Sequence, residues 1–212
     1  MFNKTQHARC KAFTLIELLV VISIILIASS IIFIGGNSGA GSSLSSSLRI
    51  VSGIAQGARG QAILKNAETR LIIHNDPTDL EKYRRLVGMV YYGTDRNGVE
   101  GWIAATQGTM LPEGIYFDPT LVSSASSSKM NLEYPRINAV SESGSNYYYY
   151  TFNSNGTSAN ANDWLPIRAG NLDATGALVP YDSAGETAFL KAALIFRRAG
   201  TTTPVTDPDA VK

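Results

Sequence analysis

Residues 11–22 read KAFTLIELLVVI and lead into an apolar run over residues 13–34. One acidic residue, Glu17, lies near the beginning of this run. A helix over the run would be roughly 33 Å long at about 1.5 Å per residue, close to the roughly 30 Å of a bilayer core. The pattern therefore predicts a membrane-spanning helix over residues 13–34.

The leader, residues 1–12, contains Lys4, Arg9 and Lys11 and no acidic residue. Positive charge before an apolar span keeps that end of the chain in the cytoplasm. A secretory signal peptide also begins with positive charge, but its apolar part is only about 7–15 residues long and ends at a small-residue cleavage site. The longer run here favours a single-pass anchor with the C-terminal region on the far side of the membrane.

Residues 12–21, AFTLIELLVV, resemble the N-terminal motif of type IV prepilins and type II secretion pseudopilins. In that family a prepilin peptidase removes the basic leader and methylates the new N-terminus. The resemblance places the cleavage between Ala12 and Phe13 and the methylation on Phe13. The family's glutamate is the fifth mature residue, which is Glu17 here. Ala12 stands where glycine is usual, so we expect slower processing.

Glu17 has two interpretations. A charge within a membrane segment costs roughly 2.5–3.5 kcal/mol, and one turn from the membrane edge the carboxylate can reach the lipid headgroups. The resemblance instead implies an assembly contact, in which Glu17 of one subunit pairs with the amine of Phe13 on a neighbour. Such a pair offsets the cost of holding each charge in an apolar setting.

Residues 35–43 are rich in glycine and serine, which predicts a hinge because glycine weakens a helix by about 1 kcal/mol relative to alanine. Helical periodicity resumes over residues 44–66, which we predict to form an amphipathic helix. Its apolar stripe consists of Leu44, Leu48, Val51, Ala55, Ala58 and Ala62.

Residues 67–200 are rich in strand-forming residues and predict a β-rich domain, which the resemblance places in the periplasm. Strand candidates lie at residues 70–74, 84–92, 99–106, 115–117 and 147–152. The apolar segment at residues 192–198 allows helix or strand, and the resemblance implies a final strand because the family's domain ends in a sheet. Residues 201–212 contain two prolines and few apolar residues, which predicts a loose tail. The expected fold class is α+β: a long N-terminal helix, membrane-spanning in its first half and amphipathic in its second, packed on a C-terminal antiparallel β-sheet.

An aromatic run at residues 147–150 has two interpretations. Alternation along a strand places Tyr147 and Tyr149 on one face and Tyr148 and Tyr150 on the other. The rings could form a stacking platform for a partner or for single-stranded nucleic acid. No cluster of lysine or arginine flanks them, so we favour core packing with hydrogen-bonded hydroxyls.

Overall charge and cysteine content exclude several classes of protein. The 212 residues include 18 basic and 17 acidic residues, for a net charge of +1. Without the three leader cations, 15 basic residues face 17 acidic ones, so no basic footprint for nucleic acid is present and no nucleic-acid partner is expected. The single cysteine, Cys10, lies in the leader, so neither a disulfide nor thiol catalysis is expected beyond it.

The sequence also contains no recognisable catalytic set. His74 stands without a metal-binding motif, and no serine lies in a nucleophile-elbow pattern. Asp76 with Asp79, or Asp207 with Asp209, could bind calcium, but neither pair has the ligand spacing of an EF-hand loop, and turn capping or a solvated tail is favoured. We therefore expect no enzymatic activity, no cofactor and no metal site.

Two further patterns resemble the H-type minor pseudopilins within this family. Arg59 lies in an Ala-Arg-x-x-Ala pattern over residues 58–62, for which a solvated arginine is the alternative interpretation. Residues 111–115 read LPEGI, a turn leading into a strand. The resemblance implies a non-catalytic subunit of a type II secretion pseudopilus or type IV pilus that supports protein export.

The implied partners are prepilin peptidase, other pilins or pseudopilins, and an inner-membrane assembly platform. The implied location is the inner membrane, with a periplasmic C-terminal domain, followed by a periplasmic pseudopilus or a cell-surface pilus. Two alternatives stay open: a major or competence-type pilin that contacts DNA, and a periplasmic binding or enzymatic domain that carries this anchor.

Overall fold

The computed structural model describes residues 15–34, 39–125, 127–181, 190–207 and 210–211. The chain divides into two compact units, Met1–Gly39 and Ala40–Lys212.

In the first unit, helix α1 covers Leu15–Ile34. This helix confirms the predicted helical state of these residues, whereas residues 13 and 14 lie outside the described part. Neither helix in the described residues is long and apolar enough to cross a membrane. The membrane-spanning role of residues 13–34 stays a prediction.

The second unit begins with helix α2, Ala40–Lys65. Its start corrects the predicted hinge at residues 35–43, because residues 40–43 are helical; residues 35–38 lie outside the described part. Ala40 and Leu44 are buried, and this packing offsets the roughly 1 kcal/mol that Gly41 costs in a helix. All six residues of the predicted apolar stripe are buried, which confirms the amphipathic helix.

Eleven strands follow in the described residues. They are β1 Thr69–His74, β2 Leu86–Thr94, β3 Glu100–Ala104, β4 Thr109–Met110, β5 Ile115–Phe117, β6 Lys129–Leu132, β7 Ser145–Phe152, β8 Trp164–Leu172, β9 Leu178–Pro180, β10 Lys191–Phe196 and β11 Thr202–Val205.

The strands form two antiparallel sheets. The first has the order β3-β2-β1-β7-β6, with β4 also paired to β2, and the second has the order β11-β10-β8-β5, with β9 also paired to β8. The register pairs Ile72 with Tyr149 in the first sheet and Arg168 with both Tyr116 and Lys191 in the second. Each pair of opposed residues places its side chains on the same face of the sheet.

Helix α2 packs against strands of both sheets, and the main core lies between them. The interface with α2 contains Ala55, Ala58 and Ala62, which have no solvent exposure. Small side chains at these positions let the strands approach the helix closely. These contacts confirm the predicted fold class, α+β with a helix packed on antiparallel sheets.

The tail predicted to be loose, residues 201–212, is partly ordered. Thr202–Val205 form β11, which pairs with β10, and Val211 is buried. Proline is tolerated here because β11 is an edge strand, where no ladder hydrogen bond is required on the outer side. Lys191 adds a tertiary contact by donating a hydrogen bond from Nζ to the carbonyl of Val211 at 2.8 Å.

Arg59 connects α2 to turns that follow strands of both sheets. Its Nε donates to the carbonyl oxygen of Gly156 at 3.2 Å. Gly200, in the turn between β10 and β11, has φ +77°, and a Cβ there would collide with the same carbonyl oxygen. Arg59 is half-buried over these two turns, so the interpretation of a fully solvated arginine is wrong.

Replacement of Arg59 by alanine is expected to lower the free energy of unfolding by roughly 1–3 kcal/mol, because a charged hydrogen bond and its packing are lost. Arg49→Ala is the matched control, since Arg49 is exposed on the same helix and should change stability by less than about 0.5 kcal/mol. Urea denaturation of the full-length protein in detergent measures both variants. Equal losses in the two variants would contradict a connecting role for Arg59.

Candidate functional site at the N-terminal helix

Glu17 lies in the first turn of α1. Its side chain is exposed. Near a helix N-terminus a carboxylate is favoured by the aligned peptide dipoles. Ala12 and Phe13, the predicted cleavage and methylation positions, lie outside the described residues, so their roles stay predictions.

Large apolar side chains surround Glu17 on every side of the helix. They are between 46% and 82% exposed in this chain: Leu15, Ile16, Leu18, Leu19, Val20, Val21, Ile22 and Ile24. A helix that is apolar all round is stable in lipid or among other helices rather than in water. This surface therefore requires an apolar covering, and Glu17 is the acidic group within it.

The aromatic run divides between the two faces of β7, as its alternation predicted. Tyr148 and Tyr150 belong to the main core, and the Tyr150 hydroxyl donates to the carbonyl of Trp164 at 2.6 Å. Tyr147 is buried in a smaller cluster on the other face. Core packing is therefore confirmed for these three rings.

Tyr149 is half-exposed and takes part in a stack on the outer face of the first sheet. The Arg70 guanidinium carbon lies 4.0 Å from the ring centre of Tyr149 and 4.1 Å from that of Trp102. Arg70 also forms an ion pair with Glu68 at 2.9 Å. This stack ties together residues of β1, β3 and β7.

Of the predicted calcium candidates, Asp76 and Asp79 act as turn caps. Asp76 Oδ1 accepts hydrogen bonds from the backbone N–H and the hydroxyl of Thr78, and Asp79 forms an ion pair with Lys82 at 2.6 Å. Asp209 lies outside the described residues. Within the described ranges, no group of three or more metal-ligating side chains is arranged to hold an ion.

His74 ends β1, where it is buried and makes an edge contact with the Tyr147 ring at 5.1 Å. Burial lowers the pKa of His74 from its ordinary value of 6.5, and the nearby Asp79 and Asp76 carboxylates oppose part of this effect.

Because the folded state disfavours protonated His74, its contribution to stability is fully present above pH 6.5 and is lost as the pH falls below that value. The free energy of unfolding is therefore expected to decrease from about pH 7.5 to about pH 5. A His74→Phe variant should lose this part of the pH dependence. An identical pH slope in both proteins, measured by urea denaturation, would contradict the assignment to His74.

A cluster that the sequence did not predict lies on the outer face of the second sheet. Arg168 forms an ion pair with Asp118 at 3.4 Å, and Arg84 lines the same cavity. These residues are more than 30 positions apart in sequence, and no local motif connects them.

Residues 7–33 match the model described as the prokaryotic N-terminal methylation motif. No match was found among curated proteins. A solved structure, the minor pseudopilin EpsH from the type 2 secretion system of Vibrio cholerae, is similar at 14% identity and a TM-score of 0.41, covering 77% of this chain and 95% of that chain.

The motif match covers the second half of the leader, both residues of the predicted cleavage site, and most of α1 including Glu17. It supports the resemblance of this part of the chain to type IV prepilins and type II secretion pseudopilins.

Proposed function

We propose that the protein is a minor pilin or pseudopilin, a non-catalytic structural subunit of a type II secretion pseudopilus or type IV pilus. The observation that carries the proposal is the methylation-motif match over residues 7–33, which includes Glu17 in the first turn of α1. In this role the subunit is incorporated through its N-terminal helix and supports protein export.

The surface chemistry of α1 supports assembly through this helix. Its exposed apolar side chains need lipid before assembly and neighbouring helices afterwards. Cleavage before Phe13 creates a cationic amine, and Glu17 of one subunit pairs with the amine of the next. Each charge then enters the apolar filament core with a partner, which reduces the cost of removing it from water.

The proposed life cycle has two locations. The precursor is held in the inner membrane with its leader in the cytoplasm, where prepilin peptidase removes residues 1–12 and methylates Phe13. The inner-membrane assembly platform then transfers the subunit into a filament with other pilins or pseudopilins. The unit Ala40–Lys212 lies in the periplasm in the precursor and in a pseudopilus, and at the cell surface in a pilus.

Processing gives a direct prediction for Ala12. An Ala12→Gly variant is expected to be converted to the mature form faster than the natural protein, because glycine is the usual residue before this cleavage point. Pulse–chase electrophoresis measures the conversion, and Ala8→Gly serves as a control within the same leader. Slower conversion of Ala12→Gly, or equal acceleration by Ala8→Gly, would contradict the cleavage assignment.

The function is tested by expressing the chain with pilins or pseudopilins from the same cell and isolating the filaments. We expect the protein in the filament fraction at a small share of the total subunits. A share close to the whole filament would indicate a major pilin. Absence from filaments, together with unchanged export after gene deletion, would favour an anchored binding domain instead.

A further inference from the structure

A cavity of about 260 Å³ opens on the outer side of the second sheet. It belongs entirely to the second unit and lies far in sequence from the motif region. Its walls come from the loop before β2, the loop after β5, strand β8 and the start of β9. The lining residues are Arg84, Asp118, Thr120, Arg168, Ala177 and Leu178.

Both carboxylate oxygens of Asp118 already have hydrogen-bond donors within this cavity. Its side chain is 4% exposed, and Oδ2 lies 3.4 Å from the Nη1 atom of Arg168. Its other oxygen, Oδ1, accepts hydrogen bonds from the backbone N–H and the hydroxyl of Thr120, at 3.1 Å and 2.6 Å. Arg168 carries five N–H donors, and among the described residues one long hydrogen bond, to Asp118, uses them, so donors remain for another acceptor.

Arg84 has no acidic partner among the described residues, and its Nε is buried without a hydrogen-bond acceptor. Its guanidinium carbon lies 5.0 Å from the ring centre of Tyr83. The backbone has φ +56°, which is unfavourable for an arginine, and is held by hydrogen bonds from Arg84 N–H to His74 and from Phe117 N–H to Arg84. Strain of this kind is concentrated at binding sites.

Charged groups of both signs lie around the cavity. Lys191 and Tyr116 lie opposite Arg168 on the neighbouring strands, and the guanidinium of Arg85 lies 5.9 Å from the Tyr116 ring centre. The negatively charged Glu113 also acts on Tyr116 electrostatically. Asp173 lies beside the rim, where its Oδ1 accepts the backbone N–H of Ala177 at 2.9 Å. The attraction for an anion therefore comes from Arg84 and Arg168 in the lining of the cavity rather than from its surroundings.

We propose that this cavity binds a carboxylate of a protein partner, either an acidic side chain or a C-terminal carboxylate. The positive charges of Arg84 and Arg168 and the negative charge of Asp118 sum to one positive charge among the lining residues. This net charge matches that of a monovalent carboxylate. The arginine forks suit the two oxygens of such a group. The volume lies below the roughly 300–1,000 Å³ of sites for drug-sized ligands, and Ala177 and Leu178 form an apolar rim beside the charges. The site goes beyond the proposed function and does not depend on it.

Three N-acetylated tripeptides test the proposal by NMR of the arginine Nε–H groups in the full-length, ¹⁵N-labelled protein in detergent. The first is Ala-Glu-Ala with a blocked C-terminus, the second is Ala-Gln-Ala with a free C-terminus, and the third is Ala-Gln-Ala with both ends blocked. We expect saturable chemical-shift changes at the Nε–H groups of Arg84 and Arg168 with either charged peptide. The peptide that binds more tightly identifies the source of the carboxylate. Equal shifts with the uncharged peptide would overturn the proposal, as would stronger binding of inorganic phosphate than of either charged peptide.

Two pairs of variants place the binding in this cavity. Arg84→Gln should lower the affinity for the charged peptides about tenfold, as expected for the loss of one charged contact. Arg96→Gln changes an arginine in an exposed turn elsewhere and should leave the affinity unchanged. Ala177 is exposed at the rim, so both of its variants should fold. Ala177→Glu supplies an internal carboxylate and should weaken the peptides, and Ala177→Gln should leave their affinity unchanged. Unchanged affinity in Ala177→Glu would overturn the site even if Arg84→Gln failed to fold.

Discussion

A Glu17→Val variant is expected to enter the membrane at least as well as the natural protein and to be nearly absent from filaments. Insertion should persist because a charge that costs roughly 2.5–3.5 kcal/mol in a membrane segment is removed. Incorporation should fall because, under the proposed pairing, the N-terminal amine of the neighbouring subunit is then left unpaired in an apolar setting. Breaking a buried pair in this way costs roughly 3–5 kcal/mol, which corresponds to a loss of about a hundredfold or more.

Two control variants separate charge from shape in this experiment. Glu17→Gln keeps the size of the side chain and removes the charge, so it should also be excluded from filaments. Leu18→Val changes an exposed apolar neighbour on α1 and should be incorporated normally. Membrane fractionation and crosslinking of isolated filaments provide the measurements. If crosslinking shows Glu17→Val in filaments at the natural level, the pairing account is wrong.

Phe196→Ala is expected to cause the largest loss of stability, roughly 3–5 kcal/mol of the free energy of unfolding. Phe196 has no solvent exposure. Its ring stacks on Tyr150 with centres 4.5 Å apart and makes an edge contact with Phe152 at 5.9 Å. These rings join β10 of the second sheet to β7 of the first, so truncation leaves a cavity between the sheets. A loss of this size is a large part of a typical total of about 5–15 kcal/mol.

Leu64→Ala is the matched control for this truncation. Leu64 lies near the end of α2 and is 77% exposed, so its loss should change stability by less than about 0.5 kcal/mol. Phe196→Leu should fall between the two because it keeps most of the apolar volume. Urea denaturation of the full-length protein in detergent measures all three variants. A Phe196→Ala midpoint equal to that of Leu64→Ala would show that the two sheets do not share this core.

Features with a local periodic signal were predicted well. The stripe from Leu44 to Ala62 is buried throughout because helical spacing places these side chains on one face. The faces of β7 were predicted correctly for Tyr147–Tyr150 because successive side chains along a strand point to opposite faces of the sheet. The turn before β5 was also predicted, and Gly114 has the positive φ, +78°, that such a turn requires.

Features that depend on distant partners were not predicted. β11 contains Pro204 and few apolar residues, and its strand state comes from pairing with β10. α2 begins at Ala40 because tertiary burial outweighs the weak helical preference of the Gly/Ser segment. The cavity with Arg84, Asp118 and Arg168 is assembled by pairing of β5 with β8, a non-local contact that carries no periodic signal.

The N-terminus of the protein, isolated from its native membranes and filaments, tests the central claim most directly. Tandem mass spectrometry of the N-terminal peptide is expected to show a chain that begins at Phe13 and carries a methyl group on its α-amine. Glu17 would then be the fifth residue, in reach of a neighbour's amine. A chain that begins at Met1, or one cut near Ile34, would contradict processing by a prepilin peptidase and with it the proposed mode of assembly.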